Sequence, residues 1–426
     1  MEAGLSLLPW LLVAAGFFFA LGWLGAKIDV KRLLTESRAL PKAYFKGVNF
    51  LLNEQPDKAI DALVEASKQH PEAIELQFAL GQLFRRRGEI DRALRVHKDL
   101  SERSGLSLSE RSAALFETAL DYHKSGLLDY AEKILTDLIK SNTCADTQLV
   151  QIQKLLLNLY QQERQWRKAI DVARLLDADV AQASRQYMSQ IANFYCELAI
   201  EYYLAGNAVD ANKALGLALA EYPRCVRANL LGGEWLAAAG NHNAAILAWQ
   251  KIEAQDAAFI GLCAKPMLAA YASMGEDTRG MAAISRYQQD YAQLDLFDAL
   301  FQATLKNAGA NAAYQLVKND LRQNPTLVGL ERLLEAQLLN TPATTDAANA
   351  STDERADLEI EHAIVHSHAS RLAVYLCQHC GFKAKQYYWH CPACASWDSF
   401  PPRRTAEYDT AERHLARSQV EHIKQQ

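Results

Sequence analysis

The sequence predicts a mostly α-helical protein, in which an array of helical hairpins lies between an N-terminal membrane helix and a small C-terminal metal-binding β module. Three observations predict this organisation. Alanine recurs in the middle of the chain with a period of 34 residues, residues 3–26 carry no charge, and four cysteines near the C-terminus form two close pairs. The 426 residues also exceed the length of one ordinary domain.

The repeats are marked by an alanine near the start of the predicted second helix of each hairpin. Ala59 and Ala93 are 34 residues apart, and so are Ala211 and Ala245. The markers are Ala59, Ala93, Ala131, Ala169, Ala211, Ala245 and Ala313. A small residue stands twelve positions before four of them, at Gly47, Gly81, Ala199 and Gly233. This pattern is typical of tetratricopeptide repeats, whose two helices pack closely at small residues. We expect about eight such repeats over residues 40–340.

Two parts of the array depart from the 34-residue period. The markers between Ala93 and Ala211 are spaced more widely, which predicts longer helices or loops there. Around Gly280 the pattern is degenerate. Stacked repeats of this kind form a concave groove, and such a groove binds protein segments rather than catalysing reactions.

The chain shows no Gly-rich phosphate loop, no Ser/His/Asp arrangement and no carboxylate pair in a plausible site. Arg85 and Arg86, in a run of three arginines, are candidates for binding acidic groups of a partner. The alternative is that this run is a solvated basic edge. The net charge of −5 gives no reason to expect nucleic-acid binding.

Residues 1–26 are predicted to form a transmembrane helix, since about 20 apolar residues span a bilayer. The alternative is a cleaved signal peptide, but only Glu2 precedes the apolar run, so a basic leader region is missing. Basic residues follow instead, beginning with Lys27, Lys31 and Arg32 in a juxtamembrane linker over residues 27–39. The positive-inside rule therefore predicts a single-pass protein whose body faces the cytoplasm.

Cys377, Cys380, Cys391 and Cys394 form two Cys-x-x-Cys pairs that are separated by ten residues. Two such turns facing each other supply a complete tetrahedral S4 shell, so we expect one structural metal ion. Gly381 follows the first pair and permits the positive φ of such a turn. The alternatives are two disulfides, which the predicted cytoplasmic location disfavours, and a dithiol redox motif, which would be expected within a βαβ pattern. An S4 site suits both iron and zinc.

The other histidines and cysteines are given structural roles. Cys144, Cys196, Cys225 and Cys263 stand alone in helical patterns, and we expect them to be small buried apolar residues. The histidines in the segment before the metal module have helical spacing, but a solvated face is the favoured interpretation for His362, His366 and His368. We expect His379 and His390 to lie outside the sulfur shell.

The C-terminal third divides into three segments. Residues 341–372 are predicted to be a linker followed by a helix, residues 373–402 the metal-binding domain, and residues 403–426 a polar tail. Within the metal-binding domain we expect a miniature aromatic core. Its expected members are Phe382, Tyr388, Trp389, Trp397, Phe400, Pro401 and Pro402.

These segments together resemble the lipopolysaccharide assembly protein B family. The matching stretches include Leu83-Phe-Arg-Arg-Arg-Gly-Glu-Ile-Asp-Arg-Ala93, Trp166-Arg-Lys-Ala-Ile-Asp-Val-Ala173 and Tyr388-Trp-His-Cys-Pro-x-Cys394. The resemblance implies a membrane helix, cytosolic tetratricopeptide repeats and a rubredoxin-like metal domain. It favours iron in the S4 site, whereas the short spacing between the cysteine pairs resembles zinc ribbons.

The resemblance further implies an adaptor at the bacterial inner membrane, not an enzyme. Its expected partners are the FtsH protease, the UDP-3-O-acyl-N-acetylglucosamine deacetylase of lipid A synthesis and other lipopolysaccharide assembly proteins. The adaptor would promote degradation of the deacetylase by FtsH. The alternatives are a rubredoxin-like electron-transfer protein and a membrane-tethered scaffold for another client. A nucleic-acid-binding zinc ribbon is disfavoured by the acidic charge balance.

Overall fold

A computed structural model describes residues 49–50, 55–141, 144–179, 187–291, 296–323, 325–341, 350–370 and 375–400. The fold is mostly α-helical, as predicted, with a small two-stranded β module near the C-terminus. The chain divides into two compact units between Glu163 and Arg164. The predicted membrane helix, the juxtamembrane linker and the polar tail lie outside the described residues.

The first unit contains six described helices connected by short turns. They are α1 (Pro56–Gln69), α2 (Ile74–Arg86), α3 (Ile90–Glu102), α4 (Leu108–Ser125), α5 (Leu128–Ser141) and α6 (Asp146–Gln162). The start of α4 shows why the chain becomes helical there. The Ser107 hydroxyl accepts a hydrogen bond from the Glu110 N–H, and the Glu110 carboxylate accepts one from the Ser107 N–H. This reciprocal cap satisfies backbone donors that a helix start leaves without partners.

The second unit continues the helical hairpins. Its helices are α7 (Trp166–Asp179), α8 (Met188–Leu204), α9 (Ala208–Glu221), α10 (Val226–Ala238), α11 (His242–Asp256), α12 (Ile260–Ser273), α13 (Asp277–Asp290), α14 (Phe297–Gln323), α15 (Leu327–Asn340) and α16 (Ala350–Ala369). A short 3₁₀ turn, Ala257–Phe259, precedes α12. Gly309 has a φ of 82° and divides α14 into two helical halves, which form a further hairpin.

The marker alanines lie in the packed interfaces between helices. All seven have an exposed fraction of 0%, in agreement with the sequence pattern. Two of the small residues twelve positions before the marker alanines are required by close contacts with the neighbouring helix. A Cβ at Gly81 would lie closer than 3.0 Å to the ring of His97, and one at Gly233 equally close to the ring of Trp249. Only glycine therefore lets these helix pairs approach.

Longer helices account for part of the wider spacing in the middle of the array. Helix α4 has 18 residues and α8 has 17, whereas α2 has 13. Gly280, where the sequence pattern is degenerate, takes the marker position in α13. Its N–H donates to the Glu276 carbonyl, as the Ala245 N–H donates to that of Asn241. A Cβ there would lie 2.8 Å from the Cβ of Tyr271, which explains the change from alanine to glycine.

The C-terminal module contains two short antiparallel strands, β1 (Tyr375–Leu376) and β2 (Lys383–Ala384). Tyr375 pairs with Ala384 and Leu376 with Lys383, and the first cysteine turn joins the strands. Among the residues that the structure describes, no helix is both long and apolar enough to cross a membrane.

Candidate metal centre and its docking surface

The four predicted ligands come together at one point of the module. The sulfur atoms of Cys377, Cys380, Cys391 and Cys394 all lie within 4.8 Å of one another. The Cys377–Cys394 and Cys380–Cys391 sulfur pairs are each 3.8 Å apart. A tetrahedral ion with metal–sulfur bonds of about 2.3 Å places its sulfur ligands about 3.8 Å apart. A disulfide needs about 2.05 Å, so the arrangement fits one metal ion and not two disulfides.

The two cysteine turns have the same backbone geometry. The N–H of Gly381 donates to the Cys377 carbonyl, and the N–H of Ala395 donates to the Cys391 carbonyl, both at 2.9 Å. The residue after each pair has a positive φ, 77° at Gly381 and 57° at Ala395. The sequence predicts the first of these conformations from its glycine. It gives no signal for the second, because alanine rarely adopts a positive φ.

Serine hydroxyls adjoin two of the four sulfurs, and that of Ser396 favours the thiolate form of Cys394. The Ser396 hydroxyl lies 3.0 Å from the Cys394 sulfur, and the Ser399 hydroxyl lies 3.3 Å from the Cys377 sulfur. Hydrogen bonds from the Ser396 hydroxyl and from its N–H lower the pKa of the Cys394 thiol to about 5. Cys377 and Cys391 are buried, whereas Cys380 is exposed.

The expected aromatic core of the module is right in part. Phe400 is buried against Tyr387 and Tyr388, beside Cys377 and Cys391. Phe382, however, has an exposed fraction of 38%. Trp389 contacts Tyr387 of the module at a centroid distance of 4.9 Å and also packs against the helical repeats. Trp397 packs against the repeats, so the prediction was wrong for Trp397, and Pro401 and Pro402 lie outside the described residues.

The tryptophans attach the module to helices of the same unit. The Trp397 ring meets Trp166 of α7 and Phe194 of α8 edge-on, with centroid distances of 6.2 Å and 5.7 Å. Trp389 stacks on Phe259 with a centroid distance of 5.6 Å and an interplanar angle of 6°. No pattern in the sequence predicts these contacts.

Polar groups complete the docking surface. The Arg227 guanidinium carbon lies 5.8 Å from the Trp389 ring centroid and 5.7 Å from that of Trp397, and its Nη2 donates to Glu197 at 2.6 Å. Asp398 accepts hydrogen bonds from the Ser189 hydroxyl at 2.5 Å and from the Asn193 amide at 2.9 Å. A cation between two aromatic rings and a twice-bonded carboxylate fix the orientation of the module as well as its position.

His390 lies outside the sulfur shell, as expected. Its ring stacks on that of Trp397 at a centroid distance of 4.4 Å, and its Nε2 lies 3.0 Å from the Ala395 carbonyl oxygen. His366 of α16 contacts Glu331 of α15 at 2.6 Å and stacks on His362. Among the described residues, the four cysteines are the group whose ligand atoms converge as a metal requires.

The two partner-binding candidates differ in their surroundings. Arg85 forms ion pairs with Glu117 and with Asp121, the second at 2.8 Å, inside the first unit. Its guanidinium therefore already has carboxylate partners, while Arg86 is exposed. Partner binding stays a prediction for both.

Comparison with known proteins agrees with this architecture. A family model described as "Rubredoxin metal binding domain" matches residues 375–402. Lipopolysaccharide assembly protein B of Escherichia coli K12 is 30% identical over 388 residues, which cover 90% of this chain and 95% of the relative. The Haemophilus influenzae protein of the same name is 28% identical over 405 residues, covering 93% and 98%.

Solved repeat proteins are more distant. The C-terminal part of a TPR repeat-containing protein from Cytophaga hutchinsonii aligns with 60% of this chain and 99% of its own, at 14% identity and a TM-score of 0.35. Similarity at this level carries no information on function. The alignment with the Escherichia coli protein runs over nearly the whole of both chains, and this chain belongs to the lipopolysaccharide assembly protein B family.

Proposed function

We propose that this protein is an inner-membrane adaptor that limits lipopolysaccharide synthesis. In this proposal it brings the UDP-3-O-acyl-N-acetylglucosamine deacetylase to the membrane-anchored FtsH protease. The observation that carries the proposal is the near full-length match to relatives named lipopolysaccharide assembly protein B, covering 90% of this chain. That name supports a role connected with lipopolysaccharide, and the degradation step is what the family resemblance implies.

The arrangement of the metal centre supports binding over catalysis. Four sulfur atoms converge on one point, so a tetrahedral ion held by them keeps no position for water or substrate. The module is attached to the repeats by Trp389, Trp397 and Asp398. In the proposal, the metal fixes the module, and the docked module completes the surface that binds the deacetylase.

In the proposal, the membrane helix predicted over residues 1–26 promotes the encounter of the adaptor with FtsH. Confinement to the membrane that also holds FtsH raises the effective concentration of the pair without any new contact. We therefore expect a chain lacking residues 1–26 to lose most of its effect. An unrelated single-pass helix in their place should restore it.

The test is the half-life of the deacetylase in cells that contain, lack or carry variants of this protein. We expect depletion to lengthen the half-life, and Cys377→Ser to act like depletion because three sulfur ligands no longer hold the module. Cys263→Ala is the matched control, since Cys263 is buried in α12 and lies outside the sulfur cluster. An unchanged half-life on depletion would refute the adaptor proposal.

Electron transfer is the second candidate function, and the exposed Cys380 ligand is the observation that favours it.

We propose iron as the bound metal. Element analysis and the visible absorption of ferric thiolate distinguish iron from zinc. The two functions differ in their response to metal exchange. A zinc-loaded protein should keep its adaptor function and lose all electron transfer.

A further inference from the structure

Two cysteines that are far apart in the sequence form a second sulfur pair next to the docked module. The sulfurs of Cys196 and Cys225 are 3.8 Å apart. Cys196 lies in α8 with an exposed fraction of 0%, and Cys225 is the N-cap residue of α10 with an exposed fraction of 5%. The prediction that both cysteines are buried is confirmed, but no sequence pattern predicts that they meet. Packing of α8 against the start of α10 brings them together.

The two thiols have different acidities. The hydrogen bond from the Cys196 thiol lowers the pKa of Cys225, whereas burial raises the pKa of Cys196. Cys225 also stands at a helix N-terminus, where the helix dipole favours an anion. The pair therefore combines one thiol of lowered pKa with one of raised pKa.

The two thiols also differ in access. A cavity of about 210 Å³ lies between the module and the helices, and Cys225 lines it together with Arg227, Trp389 and Asp398. Cys196 is not among the lining residues. Of the two cysteines, Cys225 is therefore the one that borders this cavity. Cys263 differs, because burial raises the pKa of its thiol to about 12 and this thiol donates to the Ile260 carbonyl at 3.3 Å.

We propose that Cys196 and Cys225 are an oxidisable dithiol that forms a disulfide in the folded, metal-loaded protein when a hydroperoxide enters this cavity. The Cys225 thiolate attacks the terminal peroxide oxygen, the O–O bond breaks, and Cys225 becomes a sulfenic acid while hydroxide (from hydrogen peroxide) or an alkoxide (from an organic hydroperoxide) leaves and takes up a proton from water. The Cys196 sulfur then attacks the Cys225 sulfur, the S–O bond breaks, and the thiol proton leaves with the hydroxyl group as water. Each peroxide is reduced by two electrons and the thiol pair is oxidised by two.

The proposed disulfide joins two sulfurs that already lie close together. The sulfurs must approach from 3.8 Å to about 2.05 Å to form the bond. Cys225 is two residues before Arg227, whose guanidinium contacts both docking tryptophans. The disulfide therefore forms at the base of the module's docking surface and is separate from the S4 centre.

The experiment treats the full metal-loaded chain with hydrogen peroxide and follows metal content and thiol content together. After quenching, denaturation and metal removal, we expect alkylatable thiols to fall from eight to six per chain while the metal content measured before denaturation stays constant. Non-reducing peptide mapping should show one cross-link, between Cys196 and Cys225. Its absence, or its appearance only in protein that has already lost its metal, would overturn the proposal.

Variants separate the two roles. In Cys196→Ala, the Cys225 sulfenic acid has no partner, so dimedone should label Cys225. In Cys225→Ala, we expect no dimedone label on Cys196. Cys263→Ala is the control and should cross-link like the native chain. Equal labelling of Cys196 and Cys225 in the two variants would contradict the assigned order of attack.

Discussion

Ala395 adopts a left-handed backbone conformation, which glycine adopts far more often than alanine. Its φ of 57° corresponds to the φ of 77° at Gly381 in the first cysteine turn. A left-handed conformation costs a residue with a Cβ roughly 1–2 kcal/mol. The metal centre therefore has one relaxed turn and one strained turn, although the hydrogen bonds of the two turns are the same.

Single substitutions at Gly381 and at Ala395 should change the stability of the module in opposite directions. We expect Gly381→Ala to destabilise it and Ala395→Gly to stabilise it, each by about 0.5–1 kcal/mol. A Cβ at Gly381 meets no atom within 4 Å, so the effect reports on the backbone alone. The urea concentration that releases half of the metal measures both changes, and shifts of the same sign would contradict the explanation.

Some helical glycines in this chain are required by close packing and others are not, and substitution by alanine distinguishes the two kinds. A Cβ at Gly233 would clash with the Trp249 ring, so we expect Gly233→Ala to destabilise the second unit by about 1–3 kcal/mol. Gly216 of α9 has nothing within 4 Å of its Cβ position, so Gly216→Ala should instead stabilise that unit by roughly 0.5–1 kcal/mol. Urea unfolding followed by circular dichroism measures both, and stabilisation by Gly233→Ala would be inconsistent with the close approach.

At the scale of elements, the decisive feature is the attachment of the metal module to α7, α8 and the 3₁₀ turn before α12. The module buries Phe400 in its own small core, but it directs Trp389 and Trp397 outward. A segment of this length cannot bury enough apolar surface to fold alone. Metal binding and docking on the repeats therefore both contribute to its stability.

Removing the Trp397 side chain should weaken the docking of the metal module on the repeats while leaving the metal bound. Because Trp397 contacts both Trp166 and Phe194, we expect Trp397→Ala to cost on the order of 2 kcal/mol of docking free energy. Amide exchange in the first turns of α8 should then become roughly 30-fold faster. Phe382→Ala is the control, since Phe382 is largely outside these contacts. A Trp397→Ala protein with unchanged exchange in α8 would show that the ring contributes nothing to docking.

At the scale of the whole molecule, the metal module and the repeats depend on different forces. The repeats are held by apolar packing between neighbouring helices, with the marker alanines fully buried. A structural metal contributes on the order of 10 kcal/mol of folding free energy to a small module. The two parts of the chain should therefore respond differently to loss of the metal.

Chelation of the metal tests this separation. We expect the module to unfold and leave its docking surface, exposing Phe194 and Trp166, while the helical content of the repeats is largely retained. Near-ultraviolet circular dichroism should lose the part of its tryptophan signal that arises at the docking surface, while the signal of the buried Trp249 remains, and far-ultraviolet circular dichroism should change little. If amide exchange in α8 stays slow without metal, the module is held by apolar docking alone.

The sequence by itself determined the features that depend on local spacing. The marker alanines and the four cysteines follow from periods and pairs within a few tens of residues, because helical hairpins and Cys-x-x-Cys turns are local structures. The same local signals missed the marker at Gly280 because glycine stands there in place of alanine.

The tertiary structure alone decided which distant side chains meet. It directs Trp389 and Trp397 to the repeats, gives Arg85 carboxylate partners, and places Cys196 beside Cys225. The Asn193–Asp398 hydrogen bond joins residues 205 positions apart. Such contacts arise only when stacked helices and a folded module present complementary surfaces, and no local period encodes that arrangement.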